Sequence, residues 1–129
     1  VEQRFGFKQI DFKNNIVLAY SNPAYDYGGN KGPGLFYYGS PIGNVVRSNN
    51  IYYGIGHGFK CTPAYPNEYC ESPLLVNQPI FTGESSLDNF DFHLTAGSPA
   101  KDAGVPILSV ILDYLGIVRS ATPSIGAFE

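Results

Sequence analysis

The 129 residues include no methionine and no tryptophan, only two cysteines, and a charged fraction of just 15%. Each shortage excludes something. Eight Lys and Arg, spread along a chain of net charge −3, form no basic patch able to release counterions from nucleic acid. Nucleic acid is therefore not an expected partner. No apolar run approaches the roughly 20 residues that cross a bilayer, and no charged-then-apolar leader opens the chain. No acidic residue lies between Asp26 and Glu68, which counts against the several carboxylates on one face that an inverting glycosidase would need. No Asn-x-Ser/Thr acceptor, nucleophile elbow, P-loop or dinucleotide fingerprint occurs. A start at Val1 in a chain without methionine leads us to expect a processed or trimmed product, its targeting segment removed.

The residues that are present point to strands and turns. Fifteen Gly and ten Pro leave little room for long helices, and the apolar segments are short, β-branched or aromatic, so an all-β fold is expected. Two segments align on an Asn pair. They are Ile10-Asp11-Phe12-Lys13-Asn14-Asn15-Ile16-Val17-Leu18 and Val45-Val46-Arg47-Ser48-Asn49-Asn50-Ile51-Tyr52-Tyr53. A fixed period suggests stacked coils, each unable to bury its apolar face alone. Asn15 and Asn50 would then face one another as an amide ladder at the bends; otherwise the Asn pairs are simply turns. Because a coil needs fewer residues than this period, the excess must leave as loops. Residues 21–40, dense in Gly and Pro, are one such insertion, and residues 58–71 are another. Cys61 and Cys70 bracket a turn-rich stretch within the second insertion, which reads as a disulfide-closed loop or as two unrelated buried thiols. Residues 105–115 carry Ile107, Leu108, Ile111, Leu112 and Leu115 at three- and four-residue steps, the pattern of one short helix.

The end of the chain is the most specific part. Phe92-His93-Leu94-Thr95-Ala96-Gly97-Ser98-Pro99-Ala100-Lys101-Asp102-Ala103-Gly104 is followed by Asp113, Gly116, Arg119 and a closing Ile125-Gly126-Ala127-Phe128-Glu129. This pattern resembles the C-terminal end of secreted right-handed parallel β-helix proteins of the pectate-lyase-like, or polysaccharide-lyase-like, superfamily. Ser72-Pro73-Leu74-Leu75-Val76-Asn77 likewise resembles the entry to the final coil there. The chain departs from the pattern at Lys101, where an apolar residue is common, and at Thr122-Pro123-Ser124. The resemblance implies one short solenoid domain over residues 1–129. Residues 1–73 would form coils with loops, and residues 74–129 the final coil and a cap containing the short helix. It further implies that Asp102, Asp113, Arg119 and Glu129 are structural cap residues, and that the protein is secreted or displayed at a cell surface.

Candidate chemistry is sparse. A lyase on this fold needs a basic residue beside a uronate, with carboxylates that hold calcium or a neutralising Arg. The available Lys13, Lys31, Arg47, Lys60, Asp11 and Asp26 are scattered over different segments, so no catalytic residue, cofactor or metal is expected, and calcium lacks a ligand cluster. His57, flanked by glycines, and His93, alternating with Phe92 and Leu94, each stand alone. Tyr25, Tyr27, Tyr37, Tyr38, Tyr52 and Tyr53 offer flat faces with polar tips, suited to sugar rings or to another subunit, or else they brace the coils. The leading expectation is a non-catalytic structural module that self-associates by stacking of its β-helix ends, as in a filament. Alternatives are the C-terminal fragment of a polysaccharide lyase or other carbohydrate-active enzyme, and a carbohydrate-binding module.

Overall fold

A computed structural model of the chain describes residues 10–20, 45–55, 67–78 and 90–129. These residues form short strands, turns and irregular segments, with no helix among them. Strands β1 (Ile10–Lys13) and β2 (Ile16–Tyr20) meet at the bend Asn14-Asn15, and β3 (Val45–Ser48) and β4 (Ile51–Ile55) meet at Asn49-Asn50. β1 pairs with β3 and β2 with β4, both in parallel, from Ile10 opposite Val45 to Tyr20 opposite Ile55. One strand–bend–strand layer thus lies on the next at a constant offset of 35 residues.

The bends repeat because their backbone does. Asn14, Asn49 and Asn67 have φ of 56°, 53° and 58°, the left-handed region that asparagine enters at less cost than most side chains. Asn67 marks a third layer. Tyr69 N–H donates to Asn50 O, Tyr52 N–H donates to Tyr69 O, and Ile51 bridges Tyr69 in parallel. Residues 67–70 fall in the segment read as a loop insertion, and they instead extend the stack.

The next strands break the parallel order. β5 (Leu75–Asn77) pairs with β6 (Asp91–Leu94) in antiparallel fashion, with an irregularity between Leu75 and Asn77. Residues 98–126 then run along the stacked bends. Asn49 Nδ2 donates to Ala103 O, while Asn14 exchanges hydrogen bonds with Val105 through both of its amide atoms. Ile51, Ala100 and Ile125 are fully buried against one another, with Ile16, Tyr69, Leu94 and Ala103 around them. Each buried isoleucine contributes about 1.5–3 kcal/mol. Gly104 is needed here, because a Cβ at that position would lie 2.7 Å from Pro123 O.

The expected helix over residues 105–115 does not form. Asp113 Oδ1 accepts the N–H groups of Leu115 and Ile117, Leu112 bridges Val118 in antiparallel fashion, and Tyr114 N–H donates to Ala127 O. These bonds take backbone groups that a helical ladder would use, the usual way an aspartate competes with helix. The apolar face that the pattern suggested is also largely unburied, with Leu108 97% exposed and Ile111 65%.

Candidate functional site

Among the described residues, a dense polar cluster sits on the three stacked bends. Asn15 Nδ2 donates to Asn50 Oδ1 at 3.0 Å, and Asn50 Nδ2 donates to Glu68 Oε1, also at 3.0 Å. Asn50 Oδ1 accepts the Asn15 backbone N–H as well. The amide ladder expected at Asn15 and Asn50 is thus drawn out one layer further, and it ends on a carboxylate. Glu68 is buried, and Arg47 grips it with Nε at 3.1 Å from Oε1 and Nη2 at 2.7 Å from Oε2. Tyr52 OH donates to Oε1 at 2.6 Å, and the Arg47 guanidinium lies 5.4 Å from the Tyr52 ring centre.

The electrostatics follow from this geometry. Burial alone would raise the Glu68 carboxyl, but hydrogen bonds from Tyr52, Arg47 and Asn50 outweigh it and hold the group below the usual carboxylate range. Burial and the bond to Glu68 push the Tyr52 hydroxyl far upward. Burial works against charge on Arg47, yet the Glu68 hydrogen bond prevails and raises it. A neutral phenol, a carboxylate and a guanidinium are therefore held in fixed states. Together they form a hydrogen-bonded network that ties the second layer to the third.

That arrangement bears on the residues singled out from sequence. Tyr52, proposed as a binding residue, is 2% exposed and presents no face to a ligand. Tyr53 is half-buried, while Tyr25, Tyr27, Tyr37 and Tyr38 lie outside the described residues. Among the lyase candidates, Arg47 is committed to Glu68, Lys13 pairs with Asp11 at 3.8 Å, and Lys31, Lys60 and Asp26 lie outside the described residues. No group of three His, Cys, Asp or Glu side chains that could hold a metal occurs among the described residues. Cys70 is disulfide-bonded, and Cys61, the other cysteine, lies outside them.

The terminal residues lock one another. Arg119 donates to Gly126 O at 2.8 Å, to Ser124 O at 3.3 Å and to Glu129 Oε1 at 3.2 Å. Asp113 Oδ2 accepts Glu129 N–H, and its other oxygen holds the Leu115–Ile117 turn. Although burial would raise the Asp113 carboxyl, hydrogen bonds from the N–H groups of Ile117, Glu129 and Leu115 bring it below its usual range. Asp102 takes part through its backbone. Its side chain is exposed and its backbone N–H donates to Ser124 Oγ; no hydrogen bond to its carboxylate occurs among the described residues. On β6, Asp91 Oδ1 lies 2.5 Å from His93 Nδ1, and the imidazole stacks on Phe128 at 4.2 Å. An apolar groove of about 390 Å³, lined in part by Lys13, Asn14, Ile107, Ile111 and Val118, separates the first bend from the closing segment.

The sequence matches no protein-family model and no curated protein. Sequence reasoning missed Glu68 because it sought a constant period. Asn67-Glu68-Tyr69 follows the same polar-polar-apolar order as Asn49-Asn50-Ile51, at an interval of 18 residues instead of 35.

Proposed function

We propose that this chain is a non-catalytic structural module of an extracellular right-handed parallel β-helix. Its layers stack one on the next, and residues 98–129 pack along their side. One observation carries the reading. Left-handed Asn bends recur at 14, 49 and 67, with parallel backbone pairing between successive layers and an unbroken side-chain ladder from Asn15 to Glu68. The fixed protonation states of the Arg47–Tyr52–Glu68 network favour architecture over chemistry. Its work is structural, and copies of it associate by stacking of their β-layers, as solenoids grow. A lyase fragment or a tyrosine-lined carbohydrate-binding module would have to draw on residues outside the described ones.

Native-state amide exchange tests the layered architecture. The N–H groups of Ile51, Tyr52 and Tyr69 are expected to be the slowest to exchange, since each bonds across layers. If they exchange at the rates of an unstructured chain, the reading fails. Incubation with acidic polysaccharides is expected to yield no cleavage products, and chain shortening of the glycan would move the assignment to the enzyme alternative.

A further inference from the structure

Residues 107–118 hold most of the exposed large apolar side chains among the described residues. Leu108, Ile111, Tyr114, Leu115, Ile117 and Val118 are each more than half exposed. The one charged residue of the stretch, Asp113, is buried. A contiguous apolar surface of this kind marks a site of association, and an apolar patch with an aromatic and no exposed charge has the composition of an interface core.

The stretch is also braced. Arg119 N–H donates to Ile111 O and Asp113 N–H to Ile117 O on either side of the Leu112–Val118 bridge, which makes residues 111–119 a small antiparallel hairpin. Asp113 Oδ1 accepts the Leu115 and Ile117 N–H groups across its turn, Oδ2 accepts Glu129 N–H, and Tyr114 N–H donates to Ala127 O. Side chains presented on a fixed frame lose little further freedom on association. Beside the hairpin lies the apolar groove of about 390 Å³, and Leu108, which lines it, is almost wholly exposed and stands at its mouth. A knob and a recess thus occur on one surface.

We propose that residues 107–118 pair with a second copy of the chain, hairpin against hairpin about a two-fold axis, with Leu108 of each copy entering the groove of the other. A two-fold contact needs one surface complementary to itself, and a knob beside a recess meets that condition. The area agrees. At about 100 Å² of apolar surface for a fully exposed aliphatic side chain, the exposed side chains of the stretch hold about 400 Å². A standard interface takes about 800 Å² from each partner, about 60% of it apolar, an amount that the hairpin and the groove lining provide together. This contact does not rest on the layered reading. It closes at two copies, whereas stacking of layers is open-ended.

Sedimentation equilibrium of the full chain at neutral pH is the test. A concentration-dependent dimer is expected. Leu108→Asp, at an almost fully exposed position, should weaken it about a hundredfold, because a two-fold contact carries each substitution twice. Val76→Asp, at an exposed apolar position on β5, should leave the dimer unchanged. A monomer at every concentration, a dimer or polymer that Leu108→Asp leaves intact, or equal loss with both variants would overturn the proposal. So would a chain that stays monomeric and pellets with phosphatidylcholine vesicles through Leu108, which would give the face to a lipid surface. Amide exchange keeps the two readings apart and shows that the variants are folded. Protected Ile51 and Tyr69 in a chain that does not pair remove only the hairpin contact, whereas exchange at unstructured rates removes the layered architecture.

Discussion

Where β1 to β4 satisfy their backbone by pairing residue with residue at a constant offset, residues 98–129 rely on side chains that reach across to main-chain groups. In the stack, one register organises nine residue pairs, and each pair makes the next more favourable. Asn14, Asp113 and Arg119 each serve two or more backbone groups of the closing segment, and Asn49 serves one. A ladder spreads its stability over many equivalent bonds, so it survives the loss of one. A segment pinned by a few side chains concentrates its stability at those pins.

Acid is expected to have the largest effect on this contrast, because each region depends on a carboxylate. Glu68 and Asp113 both titrate lower in the folded chain than in the unfolded one. Their contribution is complete above the ordinary carboxylate range, about pH 4, and is lost as pH falls through the lower folded values. Urea midpoints measured from pH 7 downward should therefore hold steady and then fall below about pH 4. A midpoint that rises on acidification would contradict the assignment.

Glu68→Ala comes next. It leaves the partly buried Arg47 without its counter-ion, and about 3–5 kcal/mol of stability should be lost in denaturant unfolding. Glu68→Gln, which keeps the shape and part of the hydrogen bonding, should cost less. Arg119→Ala is expected to remove about 1–3 kcal/mol and to act locally. Limited proteolysis should cut within residues 106–129 while the amides of Ile51 and Tyr69 stay protected. If those amides lose protection as well, the two regions are one cooperative unit and the contrast collapses. His93→Ala should have the smallest effect, under about 1 kcal/mol, because its pair with Asp91 is exposed and only the stacking on Phe128 is lost.

The register of the stack was legible in the sequence because asparagine is both the residue that tolerates the left-handed bend and the residue that can ladder. Its two copies at Asn14-Asn15 and Asn49-Asn50 therefore marked the same place in each layer. The third copy was hidden by a change of interval and by the replacement of the second Asn with Glu. The helix over residues 105–115 failed for a different reason. Apolar residues at helical spacing promise a helix only when a surface is there to bury them, and here Asp113 offered the backbone a nearer set of bonds. Of the two roles open to Tyr52, binding or bracing, the sequence could not choose, because its tip finds Glu68 only when the third layer is laid on the second.

Composition and pattern alone determined that this chain builds strands and turns, that its Asn pairs sit at bends 35 residues apart, and that its end carries a set of charged residues in a closing motif. Those properties depend on neighbours in sequence and on intrinsic backbone preference. Only the tertiary structure decided that Glu68 ends the ladder, that Arg47 and Tyr52 belong to it, and that the apolar residues after Val105 stand in water beside the first layer. Each of these rests on groups brought together across 16 to 21 residues or more, and the strength of such contacts comes from burial that no local stretch of sequence contains.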